Sequence, residues 1–525
     1  MLEWELWRYA GVPVTFIILW DLYSSVFAAT VSLIAVAVFT FSKSYMETDQ
    51  HYARFHLLLI RFVGSIFALI LRPGLVRLLL GWDGLGLSSF LLVMYYRGGK
   101  SLNARLLTVI TNRLGDGLIL RALVLGLSGS GFNLRSWALS SGHFPYIVLL
   151  VVGAFTKRAQ VPFCAWLPAA MAAPTPVSSL VHSSTLVTAG VYVLIRLGSA
   201  LPTAGRLAVA GAGALTMVLA GLRALGEGDM KKIVALSTLR QLGVIIMAVG
   251  VGSPLLALYH LIAHAFFKAL LFVGVGNFIH ASASYQDLRV MGNFRSALPS
   301  TSAVLVVAKA SLCGLPFFSG FFSKEAILEG LDSQGRGALG LWALLVLGVI
   351  LTQLYSLRFV LKVMLGAVGH QPLAGAHDQD FAASAAMALL LVPALRGGLL
   401  FSTLTAALLP AVTTPSSSKL PVVGLLGVAA LCRVLLYREE LRKLPCKDAP
   451  FGIWLLPQFS GQSALPLVRY GDPLHKALGL GALDGLLGAW LPPVTRSLGG
   501  NLNLRAALAT RLLLAVGAAL AVLSC

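Results

Sequence analysis

Long apolar stretches separated by short polar connections recur along the whole chain and indicate its fold class. A helix needs about 20 mostly apolar residues to cross a bilayer, so the pattern predicts about 14 membrane-spanning helices. The predicted spans are residues 10–41, 55–71, 74–96, 104–127, 144–161, 177–198, 204–225, 231–250, 254–280, 300–322, 338–365, 381–411, 419–436 and 506–524. Alternation of apolar and polar residues dominates none of them, which favours a helical bundle over a β-barrel. The sequence therefore predicts an all-α polytopic membrane protein.

The lengths of the polar connections divide the chain into four parts. Connections are short up to residue 365, and longer polar breaks such as GHQPLAGAHDQD and YREELRKLPCKDAP follow. We expect N-terminal helices in residues 1–54, a compact core in 55–365 and peripheral helices in 366–471. The last part, 472–525, ends in a final span, and its glycine-rich beginning fits an interfacial helix or a weak span.

Two of the predicted spans are interrupted. In the first, Pro162 follows soon after Lys157, and in the second, Gly314 and Pro316 precede Lys324. Proline cannot continue an α-helix, so each span should break into two pieces. Paired broken segments in the two halves of a transporter indicate ion sites, because freed backbone groups and helix ends can face ions or water.

Composition and charge narrow the class of protein. With 57% hydrophobic and 11% charged residues and a mean hydropathy of +0.84, the chain has the composition of a membrane protein. The net charge of +20 is scattered over short connections, which fits topology signals and anionic lipid better than nucleic acid. The five cysteines are far apart and form no CxxC pair, so neither an iron–sulfur cluster nor a disulfide framework is expected.

The stretch YHLIAHAFFKAL places three ionisable side chains on one stripe of a helix. His260, His264 and Lys268 are spaced at i, i+4 and i+8. With water between them, imidazoles and an amine can pass protons, because histidine both donates and accepts near neutral pH. Hydrogen bonds that only hold helices together are the alternative explanation. We favour the proton wire because three groups share the stripe.

Asp83, in the motif GWDGLG, lies within an apolar stretch where a carboxylate is costly. We expect it to form an ion pair with Lys157. Arg113 and Asp116 are three residues apart and can satisfy each other in a structural role. We expect Lys231, with the neighbouring lysine, to lie in a solvated loop.

Seven stretches between residues 55 and 330 together resemble the chain 5 family of mitochondrial NADH:ubiquinone oxidoreductase, the antiporter-like membrane subunits of respiratory complex I. They are GWDGLG, TNRLGDG, KRAQVPFCAWLPAAMAAPTPVSSLVHSSTLVTAGVYVLIR, DMKKIVALSTLRQLGV, HLIAHAFFKALLF, QDLRVMG and SLCGLPFFSGFFSKE. The resemblance implies two inverted five-helix repeats in an antiporter-like, proton-translocating core over 55–365. It also implies a lateral helix and a final transmembrane helix within 472–525.

The resemblance also assigns site residues. It implies proton translocation by Asp83, Lys157, His182, Lys268 and Lys324, with His260, His264 and Glu325 in supporting positions. Two residues depart from the family pattern. Arg158 and Lys309 stand where the family generally has small or polar residues.

These features lead us to expect a proton-translocating subunit of NADH:ubiquinone reductase in the mitochondrial inner membrane. The resemblance implies no cofactor on this chain, with NAD, FMN, iron–sulfur clusters and ubiquinone elsewhere in the complex. The implied partners are other complex I membrane subunits, especially the antiporter-like chain 4, and lipids such as cardiolipin. A cation/proton antiporter subunit is the first alternative, because fold does not determine function. A structural membrane scaffold is the second.

Overall fold

The computed structural model describes residues 2–9, 12–71, 75–96, 98–127, 144–282, 284–332, 339–366, 378 and 380–406. Its two strands are β1 Leu2–Tyr9 and β2 Val12–Ile18. Its α-helices are α1 Leu22–Tyr45, α2 Tyr52–Ile70, α3 Leu75–Val93, α4 Gly99–Leu127, α5 Phe144–Lys157, α6 Trp166–Ala169, α7 Thr175–Leu180, α8 Leu186–Leu197, α9 Thr203–Gly226, α10 Met230–Gly250, α11 Pro254–Ala281, α12 Phe294–Ala297, α13 Pro299–Cys313, α14 Ser319–Asp332, α15 Leu339–Met364 and α16 Phe381–Ala406. A π-helix, Val181–Thr185, joins α7 to α8, and 3₁₀ turns occupy Ala170–Ala172 and Gly198–Ala200.

The predicted spans within residues 1–411 each correspond to a helix. Eight helices in the described part of the chain are long and apolar enough to cross a membrane. Shorter apolar helices at Leu78–Val93, Tyr146–Lys157 and Pro299–Cys313 accompany them. The chain is therefore an all-α polytopic membrane protein, as the sequence predicts. The predicted spans 419–436 and 506–524 and the segment 472–503 lie outside the described residues.

The N-terminal segment differs from the prediction. Residues Val12–Ile18, which belong to the helix predicted over 10–41, instead form strand β2. This strand pairs with β1 in an antiparallel hairpin, in which Leu2 lies opposite Ile18. The stretch VPVTFII is rich in β-branched residues, which favour a strand. Helix α1 begins only after Asp21, whose carboxylate accepts a hydrogen bond of 2.9 Å from the Ser24 backbone N–H.

Helices α10 and α11 lie at the centre of the bundle. In both helices an apolar stretch of 18 residues is buried throughout. The corresponding stretches of α2 and α16 are only 39% buried. Helix α10 packs against α9, and α11 packs against α1, α10, α13, α14 and α16. Side chains on α10 and α11 are thus shielded from lipid by their neighbours.

Both predicted breaks are present. Helix α5 ends at Lys157, and the chain turns through Ala159 at a φ of 54° before α6 begins. Helix α13 ends at Cys313, and the next residue, Gly314, adopts the left-handed conformation (φ 79°) that glycine accommodates without strain. The chain then passes to α14. Each break therefore leaves helix-end carbonyls free to accept other donors.

Candidate functional site

The predicted site residues divide into a buried group and a partly exposed pair. The buried group, each member 6% exposed or less, is Lys157, His182, His260, His264, Lys268 and Lys324. Asp83 and Glu325 are half-buried. Buried ionisable groups in a membrane bundle cost free energy and mark functional sites by default.

At the first break, the Lys157 ammonium contacts Trp82 and not the carboxylate beside it. Its Nζ donates a hydrogen bond to the Trp82 carbonyl and lies 4.2 Å from the centre of the Trp82 ring. The expected ion pair of Asp83 with Lys157 is wrong: the described residues contain no direct contact between them. Asp83 Oδ1 instead accepts from Arg113 at 2.7 Å, and both side chains are about half exposed.

Asp116, which the sequence led us to expect in a structural role with Arg113, is the buried acid at this break. It is the only carboxylate among the buried polar residues that the structure describes. Trp82 Nε1 donates to its Oδ1 at 2.8 Å, and Arg113 lies 3.4 Å from its Oδ2. The charges of Asp116 and Asp83 both act on the Lys157 ammonium. The predicted Arg113–Asp116 contact is confirmed, but Arg113 divides its contacts between two acids.

His182 lies in the π-helix that joins the two halves of the next span. Thr185 Oγ1 donates a hydrogen bond of 2.8 Å to the Leu180 carbonyl, five residues earlier, across this widened turn. The imidazole is tilted against Trp166, with the ring centres 6.3 Å apart. Both ring nitrogens are buried, and within the described residues neither has a hydrogen-bond partner.

A continuous set of polar contacts connects α11 to the second break. His260 Nδ1 lies 2.9 Å from Ser323 Oγ, and its Nε2 lies 3.2 Å from Gln241 Oε1. Gln241 Nε2 donates a hydrogen bond of 3.4 Å to the Leu312 carbonyl. Lys324 Nζ donates to the same carbonyl. Leu312 can accept twice because α13 ends next to it.

The rest of the α11 stripe is buried, and its members contact other helices. Lys268 Nζ donates to Ser237 Oγ and lies 3.4 Å from the Val234 carbonyl, both on α10. His264 has two buried ring nitrogens for which the described part of the chain supplies no partner. The structure therefore brings the three residues onto one buried stripe without direct hydrogen bonds between them.

Two basic side chains beyond the predicted set are also buried. The Arg158 guanidinium donates a hydrogen bond of 3.3 Å to the Leu242 carbonyl. Lys231, predicted to be solvated, is only 4% exposed, and its Nζ lies 3.4 Å from the Ala173 carbonyl. The prediction for Lys231 was wrong because packing of the α10 start against the first broken span covers a charged connection.

Two more buried cations lie near the second break. Arg240 lies beside Tyr355. Lys309 Nζ lies 3.9 Å from the centre of the Phe359 ring. Neither forms an ion pair within the described ranges, where no three His, Cys, Asp or Glu side chains converge as metal ligands either. Sequence reasoning recorded Lys309 as a departure but found no signal for Arg240.

The bundle, its two breaks and its line of buried cations are those of an antiporter-type membrane subunit. Residues 73–354 match the family described as "NADH:quinone oxidoreductase/Mrp antiporter, TM". Residues 7–56 match "NADH-Ubiquinone oxidoreductase (complex I), chain 5 N-terminus". The chain belongs to the NADH-ubiquinone oxidoreductase chain 5 family.

Individual relatives agree with this assignment. The chain is 46% identical to NADH-ubiquinone oxidoreductase chain 5 of Lumbricus terrestris, over 70% of this chain and 64% of that protein. It is 45% identical to the Mytilus edulis protein, over 70% of this chain and 65% of that one. The structure of an Mrp complex from Dietzia sp. DQ12-45-1b is similar at a TM-score of 0.76 and 27% identity, covering 100% of this chain and 57% of that one. The match thus spans just under two thirds of the first two relatives.

Proposed function

We propose that this chain is a proton-translocating membrane subunit of respiratory NADH:ubiquinone oxidoreductase. The observation that carries the proposal is the buried line of ionisable side chains, which runs past both helix breaks inside an apolar bundle. The names of the similar proteins support the respiratory complex in particular.

The imbalance of buried charge is the physical basis of the proposal. Three lysines and an arginine are buried near the second break, Lys268, Lys309, Lys324 and Arg240, and none of them forms an ion pair within the residues that the structure describes. A lone charge at this depth costs several kcal/mol. The lysines therefore favour sharing a limited number of protons over carrying one each. Such a set can pass protons when the charge at one end changes.

We propose a route that starts at Lys157, passes His182 and Lys268 and ends at Lys324. Within the described residues, the buried ring nitrogens of His182 and His264 have no hydrogen-bond partner, and such nitrogens are normally satisfied by ordered water. Water at these positions would join the lysines, since imidazoles can donate and accept in turn. The Leu312 carbonyl supports the last step, because it holds both Lys324 and the Gln241 side chain that contacts His260.

We propose that the two acids at the first break together gate the first step, with Asp116 as the buried acid and Asp83 linked to it through Arg113. A change in the charge of this group would alter the attraction felt by Lys157 and so the release of its proton.

The remaining expectations belong to the same proposal. The chain would work in the mitochondrial inner membrane beside an antiporter-like neighbour such as chain 4, in contact with lipids such as cardiolipin. It would carry no redox centre, and electron transfer elsewhere in the complex would drive its protonation changes. Glu325, next to Lys324, would support the exit end of the route.

The test is proton translocation by the assembled complex in sealed vesicles. Lys268→Met should abolish or strongly lower the protons moved per NADH oxidised. Lys232→Met, which removes an exposed lysine from the start of α10, should leave this ratio unchanged. A normal ratio in Lys268→Met would overturn the route.

A cation/proton antiporter subunit is the second candidate, favoured by the similarity to the Mrp complex structure. Sodium-driven proton flux by this chain in vesicles that lack NADH oxidation would support it. A scaffold role would instead leave both fluxes normal after neutral replacements at Lys157, Lys268 and Lys324.

A further inference from the structure

We propose that Lys309 is an additional proton-carrying residue that exchanges protons with Lys268. This inference rests on the proposed function and adds to it a residue that the route above does not use. Its basis is the placement of the Lys309 amine at the side of the buried line, between α13 and α15.

The surroundings of Lys309 favour a reversible charge. The side chain is 3% exposed, and its Nζ has no hydrogen-bond partner among the described residues. The nearest support is the face of the Phe359 ring, 3.9 Å from the ammonium to the ring centre. An aromatic face stabilises a protonated amine, but by only about 0.5–2 kcal/mol. This support is smaller than the cost of a buried charge, so the proton is held weakly.

Ser237 and Tyr355, which both carry hydroxyl groups, lie on the two helices that Lys268 and Lys309 contact, α10 and α15. Lys268 donates to Ser237 Oγ on α10. Tyr355, one helical turn before Phe359 on α15, directs its hydroxyl towards Ser237 and Arg240. Within the described residues this hydroxyl makes no direct hydrogen bond, so a water molecule would have to complete the connection. Hydroxyls both donate and accept, so such a connection can move a proton.

The charges facing Lys309 oppose its permanent protonation. Lys268 on α11 lies close enough to Lys309 for the charges of the two amines to repel each other. Arg240 on α10 and Lys324 on α14 add positive charge to the same region, while Cys313 lies one turn along α13. No ion pair with a carboxylate offsets these cations within the described ranges. A proton on Lys309 therefore disfavours one on Lys268, which couples the two amines.

The decisive comparison is between a neutral and a permanently charged replacement, because arginine cannot release its proton in a protein. In the assembled complex, both Lys309→Met and Lys309→Arg should lower the protons moved per NADH oxidised. The loss should be about half or more of that caused by Lys268→Met. Normal translocation in Lys309→Arg would mean that a fixed charge suffices, and normal translocation in Lys309→Met would mean that the amine is not needed. Either result would overturn the inference.

Phe359→Leu is a milder variant for the case in which the Lys309 replacements prevent assembly. It removes the aromatic face and leaves the amine, and we expect a smaller loss in the same direction. A wild-type ratio in this variant would contradict the inference. If Lys268→Met is impaired while the Lys309 and Phe359 variants are normal, only the inference fails. If Lys268→Met is itself normal, the proposed function fails and the inference with it.

Discussion

The two helix breaks place a lysine next to freed backbone carbonyls, yet their electrostatic surroundings differ. At the first break, Lys157 lies near Asp116 and the Asp83–Arg113 pair. At the second, Lys324 donates a hydrogen bond to the Leu312 carbonyl and lies near the Arg240 cation, and the half-buried Glu325 follows it in the chain. One end of the buried line thus has a buried carboxylate, and among the described residues the other end has none that is buried.

This difference suggests a division of roles between the two ends. Acids near Lys157 can stabilise a proton there, so the first break suits uptake. At the second break, mutual repulsion among cations favours giving a proton up. A line with a buried acid at one end and only basic groups among the buried ionisable residues described at the other has a direction built into its charge distribution.

Removing the amine in the middle should have the largest effect. Lys268→Met interrupts the proposed exchange between the two ends, so we expect proton translocation to fall close to zero. Proton movement per NADH oxidised, measured in sealed vesicles, tests this. If translocation stayed at the wild-type level, the two breaks could not be parts of one route.

Replacing the two acids at the first break one at a time sharpens the comparison between the breaks. Asp116→Asn should lower proton translocation more than Asp83→Asn, because Asp116 is buried whereas Asp83 is about half exposed. It should also lower the free energy of unfolding by about 1–3 kcal/mol, since the buried hydrogen bond from Trp82 to the carboxylate is weakened. Thermal unfolding in detergent and vesicle assays measure both. An equal or larger effect of Asp83→Asn would restore the pairing expected from the sequence.

Two glycines in close contact with neighbouring residues allow the tightness of packing at the two breaks to be compared. A Cβ on Gly320 would lie 1.9 Å from the Ser311 carbonyl oxygen, and one on Gly115 would lie 2.0 Å from Thr156 Oγ1. Gly320→Ala should destabilise the fold by about 1–3 kcal/mol, and Gly115→Ala by less, because a hydroxyl can move more easily than a backbone.

Gly117→Ala is the matched control on the same helix as Gly115, since its Cβ would meet nothing within 4 Å. We expect its melting temperature to equal or slightly exceed that of the wild type. If Gly320→Ala melted like this control, the close approach at the second break would not matter to stability.

The smallest effect is expected at an ion pair away from both breaks. Although partial burial raises the pKa of Asp21, hydrogen bonds from Arg196 and Ser24 lower it to about 2, from an ordinary 3.8. Its contribution to stability is therefore complete above pH 3.8 and is lost as the pH falls through about 2. Because the pair is partly exposed, we expect less than about 1 kcal/mol.

Asp21→Asn tests this by removing the stabilisation above pH 3.8 and leaving proton translocation intact. Unfolding curves of the variant and the wild type should converge at the lowest pH. A loss of translocation in Asp21→Asn would show that charge outside the central line matters as well.

Local sequence features predicted much of the site. Apolar length predicted the helices, and Pro162 and Gly314 predicted the breaks, because proline and a left-handed glycine end a helix through their own backbone geometry. Helical spacing predicted that His260, His264 and Lys268 share a stripe. Burial of these groups followed from the apolar residues around them.

The pairing of charges could not be read in the same way. Asp83 lies beside Trp82 in sequence, and both Lys157 and Arg113 were available partners. Which of them it contacts depends on the rotation of α3 against α4 and α5, and no local pattern encodes that rotation. The burial of Lys231 depends likewise on a neighbour that is distant in sequence.

By itself, then, the sequence determined the membrane class, the helices, the two breaks and the residues with chemistry to offer, because hydropathy and backbone preference act over neighbouring positions. The tertiary structure alone decided that Asp116 is the buried acid at the first break, that the Leu312 carbonyl accepts from both Lys324 and Gln241, and that Lys309 lies over Phe359. Each of these arrangements depends on groups from different helices, and only the packing of those helices brings the groups together.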